Sequence, residues 1–107
     1  MTINILGTDY TIQTKKRSKD KRLDEMDGLC DDSVKKIILA HLDPEADSKQ
    51  DLDAVHQKIL RHEIVHAFLC ESGLAENSDW AQNEELVDWI AIQGPKIWKA
   101  WQEAGAV

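Results

Sequence analysis

The sequence predicts an α+β domain in which a small N-terminal sheet of about three strands, antiparallel or mixed, precedes the helices. Three observations carry that prediction: apolar residues alternate near the start, a short β-branched run follows, and from about residue 49 apolar residues recur at three- and four-residue steps.

In "TINILGTDYTIQ" (2–13), Ile3 and Ile5 point one way, Gly7-Thr8-Asp9 offers a turn, and Tyr10 and Ile12 resume. That is a hairpin pattern. Residues 15–32 are charged, and "DGLCDD" within them reads as a loop or turn. "SVKKIILAHL" (33–42) is short and β-branched enough for a third strand, which "DPEADS" (43–48) ends. Ser48-Lys49-Gln50-Asp51 fits a loose capping pattern, so a helix is expected from near residue 49. Leu52, Val55, Ile59, His62, His66 and Leu69 then share one face of it, and Gly73 is placed to stop it. A second helix is expected over about 82–93, broken at Gly94-Pro95, with "KIWKAWQEA" as a further helical piece. The tryptophans Trp80, Trp89, Trp98 and Trp101 read as core anchors for this region.

At 107 residues the chain suits one domain, 1–107, and its apolar fraction of 42% argues for a packed globule. A formal charge of −7 counts against a nucleic-acid partner. The run "KKRSKDKR" (15–22) holds six of the thirteen Lys and Arg, but no aromatic residue is interleaved with it. A solvated loop or strand end is the simpler reading. Cys30 and Cys70 are far apart and not in a CxxC arrangement, "MTINILGTDY" lacks the apolar segment of a signal peptide, and no run is long enough to span a membrane. A cytoplasmic, soluble protein is expected.

The chemistry concentrates in "RHEIVHAF" (61–68). His62 and His66 are one helical turn apart, so both rings project the same way and can hold one ion. Glu63 is rotated about 100° from His62, beside the ion rather than on it. This HExxH spacing suits a zinc (Zn2+) hydrolase, which needs two imidazoles on the metal and a carboxylate next to the water. A chance HExxH in this composition arises on the order of one per cent of the time, so a second constellation matters. It lies in "NEELVDW": Glu84 and Asp88 share a helix face, Glu84 able to complete the ligand set and Asp88 to accept the free ring N–H of a ligating histidine. A polar pair facing inward there would be costly without a charge opposite.

"HEIVH", then seventeen residues, then "EELVD" resembles the gluzincin pattern of thermolysin-type peptidases, HExxH with a downstream Glu and an Asp four later. Size and element order look closer to the small ImmA/IrrE-type metallopeptidases and to compact phage-encoded zincins. The resemblance covers most of the chain, through 2–13, "DGLCDDSVKKIIL", 49–72 and 82–93. It implies a minimal zincin-like domain with His62, His66 and Glu84 as zinc ligands, Glu63 as general base and Asp88 behind a ligating histidine. ImmA-type proteins commonly carry a helical segment before the sheet, which this chain lacks.

Several residues are weaker candidates. Glu85 is the runner-up third ligand, but the residue four beyond it is Trp89 rather than an acid. Glu71 and Glu76 follow the motif too soon and read as exposed helix-end acids. Cys70 reads as a buried free thiol. His41, His56 and Tyr10 are candidates for polarising a substrate carbonyl, each more readily structural. The main expectation is a zinc metallopeptidase acting on extended or unstructured protein, which the strand around 35–41 would hold by edge pairing. The competing expectation is a catalytically silent zinc-stabilised interaction module, against which the presence of Glu63 argues.

Overall fold

The computed structural model describes residues 1–44 and 50–107. The architecture is α+β, with a mixed sheet of four strands: β1 (Thr2–Ile5), β2 (Thr8–Lys15), β3 (Gly28–Asp31) and β4 (Lys36–Ala40). Helices α1 (Leu52–Glu71), α2 (Leu74–Asn77) and α3 (Glu84–Glu103) follow. Among the described residues, no helix is long and apolar enough to cross a membrane.

The expected hairpin is present, with its turn at Leu6-Gly7 rather than at residues 7–9. Ile5 pairs with Thr8, leaving two loop residues, and both have positive φ (Leu6 49°, Gly7 93°). That is the backbone of a type I′ turn, which matches the twist of the paired strands. Leucine is a poor residue for the first position, and Leu6 is exposed. Leu6→Asn is expected to raise stability by about 0.5–1 kcal/mol. A denaturant midpoint that falls on this substitution would contradict the turn assignment.

The strand order is β1-β2-β4-β3, so β4 is interior, parallel to β2 and antiparallel to β3. This explains why "KIILA" is apolar without alternation: both faces are covered. Ile37 and Leu39 join Ile5, Tyr10, Ile59 and Ala67 under α1, while Ile38 and Ala40 pack with Leu23 on the opposite face. Two expectations are corrected here. "DGLCDD" contributes a fourth strand rather than a loop, and the strand expected at 33–42 is confined to 36–40. An extended substrate cannot pair with β4, since both its edges are taken; β3 is the outer strand on that side.

The basic run is partly committed to intramolecular work. Arg17 donates to the carbonyls of Leu23 and Met26 at 2.7 and 2.9 Å and pairs with Asp27. Arg22 bridges Asp20 and Asp31. These contacts shape the connector into short 3₁₀ turns and place Leu23 under the sheet.

The capping pattern at Ser48-Lys49 lies outside the described residues. Helix α1 opens at Leu52, where the Asp51 side chain accepts from the Ala54 N–H at 2.9 Å. It stops at Gly73, whose φ of +81° is left-handed, as expected. Near its end, Glu71 is no free acid: its carboxylate accepts from the Tyr10 hydroxyl at 2.7 Å and pairs with Lys35 at 2.6 Å. Tyr10 is thereby held far along the helix from His62, and burial together with this bond pushes its phenol pKa up. Tyr10 is structural.

Helix α3 departs from expectation in two ways. It runs unbroken through Gly94-Pro95 to Glu103. The tryptophans of this region are not core anchors: Trp80, in the turn before α3, and Trp89, Trp98 and Trp101 on it are 50%, 55%, 49% and 52% exposed. The contacts with the rest of the molecule are made by small residues instead. Val87 and Ala91 are the buried positions of α3, and Val87 packs with Leu69 and Ala81.

Candidate metal centre

Helices α1 and α3 run antiparallel across each other, because residues 61, 62 and 66 of α1 meet 91, 88 and 84 of α3. The HExxH face of α1 is thus brought against the first turns of α3. His62 Nε2 lies 2.9 Å from Glu84 Oε2, and His66 Nε2 lies 3.0 Å from Glu84 Oε1. The two Nε2 atoms are 3.2 Å apart. Asp88 Oδ1 lies 3.2 Å from His62 Nδ1 and 3.5 Å from Lys58 Nζ. Asn83 caps α3 by accepting from the Leu86 N–H, which fixes Glu84 at the first helical position.

His62, Glu63 and His66 form a group that could hold a metal ion, their ligating atoms lying within 4.8 Å of one another. The hydrogen-bond bookkeeping around them supports a cation. With the His62 proton on Nδ1, where Asp88 can accept it, Nε2 is free to offer its lone pair as a metal ligand does. That lone pair faces Glu84 and His66 Nε2 together. In that state acceptor faces acceptor between His62 Nε2 and Glu84, and a cation among them would satisfy both. The spacing also fits. Ligand atoms bound at about 2.0–2.1 Å in a tetrahedron stand about 3.3 Å apart, close to the 2.9–3.2 Å seen here.

The residues differ in burial. Glu63 is 7% exposed, and this burial pushes its carboxyl up to about 7, with His62 lowering it and Glu84 raising it. Burial opposes ionisation of Asp88 as well, but the His62 hydrogen bond and the Lys58 charge hold it below the usual carboxylate range. Glu84 is open to solvent, its side chain 69% exposed, and Asp88 is 38% exposed. The expectation of an inward-facing acid pair on α3 is therefore corrected: the pair sits at a rim, and only Glu63 bears a large desolvation cost.

These residues line a cleft of about 500 Å³ between α1 and the outer strand β3. Lys58, His62, His66 and Cys70, spaced four apart, run along its α1 side; Met26, Gly28, Leu29 and Cys30 form the opposite wall. Gly28 permits this closeness. A Cβ there would lie 2.9 Å from Ile59 Cγ2 and 3.3 Å from Glu63 Cγ. Both cysteines are free, and burial pushes Cys30 up to about 12 and raises Cys70 as well. Cys70 is half-buried on the cleft wall and not part of the metal-holding group.

Of the weaker candidates, Glu85 and Glu76 are exposed. His41 pairs with Asp43 at 3.2 Å, away from the cleft, and His56 does not line it. Sequence reasoning missed Lys58, Arg61, Gly28 and Cys30. Lys58 was legible as the residue one turn before His62; the β3 wall was hidden because "DGLCDD" is too polar and short to read as a strand. Compared with family models, curated proteins and solved structures, the chain finds no match.

Proposed function

We propose that the chain is a zinc-dependent metallopeptidase that hydrolyses peptide bonds in extended or unstructured protein segments. The observation that carries this reading is the meeting of both histidine Nε2 atoms with one carboxylate, Glu84, beside a buried glutamate. His62, His66 and Glu84 would hold the ion. Glu63 falls within the metal-holding distance too, but Glu84 is the carboxylate in direct contact with both nitrogens.

Zinc held there supplies a Lewis acid that polarises a carbonyl and brings the pKa of water down to about 7. Asp88 keeps the His62 proton on Nδ1, which directs Nε2 into the centre. Glu63 accepts the proton of the attacking water and returns it to the departing amine. Among the described residues, the outer edge of β3 has no strand partner, and an extended chain can dock there along the cleft by main-chain hydrogen bonds. A zinc-stabilised interaction module would gain nothing from burying Glu63, since a desolvated carboxylate costs stability.

The ligand assignment is tested by comparing Glu84→Ala with Glu85→Ala. The purified wild type and Glu85→Ala are expected to carry about one zinc per chain, and Glu84→Ala much less, because a catalytic site needs three protein ligands. Zinc retained in full by Glu84→Ala would remove the assignment. Failure of the zinc-loaded wild type to cleave an unstructured protein such as casein would remove the peptidase.

A further inference from the structure

We infer that Arg61, by donating to the backbone carbonyl that Pro95 leaves without a helix partner, holds α3 at the tilt that brings Glu84 onto His62 and His66. The inference rests on the metal reading above and adds a positioning residue to it.

In an unbroken helix the carbonyl of residue 91 would accept from the N–H of residue 95. Pro95 has none, yet α3 continues through it. Ala91 is 1% exposed, so water is a poor substitute. Arg61 Nε fills the vacancy from the neighbouring helix, 2.6 Å from the Ala91 oxygen. A charged donor makes this a strong hydrogen bond.

Its placement gives it leverage on the site. Arg61 directly precedes His62, and Ala91 lies two turns along α3 from Glu84, about 10 Å away. Between Glu84 and Ala91, α3 is fixed by Val87 against Leu69 and Ala81. Glu84 itself is exposed and has no packing of its own to hold it. Beyond Ala91, no residue of α3 is buried. Apolar packing at Val87 and Ala91 is non-directional; the Arg61 bond adds a directional attachment one turn beyond Val87, and it fixes the tilt.

The test uses Arg61→Met, which keeps an apolar stem and removes the donor, and Pro95→Ala, which returns an N–H to the Ala91 oxygen. The single variants and the double are compared for zinc affinity, by competition with a chromogenic chelator, and for the absorption spectrum of the cobalt(II)-substituted chain. Thermal unfolding of the metal-free proteins is recorded in parallel. Arg61→Met is expected to lower zinc affinity about 10- to 100-fold, as loss of a supporting contact does at other metal sites, and to alter the cobalt spectrum. Pro95→Ala should bind zinc as the wild type does, because a carbonyl oxygen accepts two hydrogen bonds and Arg61 remains.

The double variant separates positioning from simple satisfaction of a carbonyl. Its melting temperature should return toward that of the wild type while its zinc affinity stays low. Recovery of both would overturn the inference, as would wild-type affinity in Arg61→Met. Should Arg61→Met fail to fold, the double variant, whose carbonyl has its partner again, carries the comparison. A wild type that takes up no zinc would remove the metal reading, and this inference with it; zinc bound equally by wild type and Arg61→Met would overturn the positioning alone.

Discussion

Glu63→Gln is expected to abolish hydrolysis, lowering the rate about 10²- to 10⁴-fold, while leaving zinc bound and the metal-free protein more stable than the wild type. The opposite signs follow from one property of the residue, its burial. Glutamine matches glutamate in size, so the close approach of Gly28 to this side chain is kept. It cannot take a proton from water, so the transfer to the leaving amine is lost. At the same time it removes a carboxylate that burial has pushed from 4.5 up to about 7. A carboxyl whose pKa is raised on folding binds more protons folded than unfolded between those values, so it weakens the fold as pH rises through that window. In the metal-free wild type this loss is of the order of 3 kcal/mol by pH 8. Glu63→Gln should show no such decline from this site. Denaturant unfolding of both chelated proteins at pH 5 and pH 8 measures the difference, and peptide hydrolysis measures the rest. Absence of cleavage by either form would instead favour the silent interaction module, and equal cleavage by both would remove Glu63 as the general base.

Removing the metal is expected to have the next largest effect. A ligand that binds only the folded chain, present at about 100 times its dissociation constant, contributes about 2.7 kcal/mol. For a chain near 100 residues each kcal/mol shifts the melting temperature by about 4–8 °C, so chelation should lower it by about 10–20 °C. The physical reason is local. A cation would tie His62 Nε2 and His66 Nε2 on α1 to the Glu84 carboxylate on α3, and without it the exposed rim of α3 loses that link. His62→Ala should unfold at the same temperature with or without chelator. A wild type equally indifferent to chelator would rule out a bound metal that the fold depends on.

The two helices that carry the candidate site were legible because helical spacing is a local property. His62 and His66 stand one turn apart whatever surrounds them, as do Glu84 and Asp88, and the structure brings all four together. The same periodicity misled for the tryptophans. For Trp89, Trp98 and Trp101 the spacing says which residues share a stripe of α3, not whether a neighbour reaches it, and all three stay about half exposed. Glu71 misled in the other direction. It reads as a helix-end acid, but the sheet brings Tyr10 and Lys35 to it from 61 and 36 residues away.

What the sequence determined by itself is the α+β order of elements, the hairpin, the helix stop at Gly73 and the facing pairs of histidines and acids. Each depends on backbone propensity or on residues within a turn of one another. Tertiary structure alone decided that β4 is interior and β3 forms the cleft edge, that Gly28 lets the strand close on Glu63, and that Arg61 answers the carbonyl Pro95 leaves open. Those facts depend on which distant segments meet, and strand order and helix crossing are set by packing of the whole chain rather than by any local stretch of it.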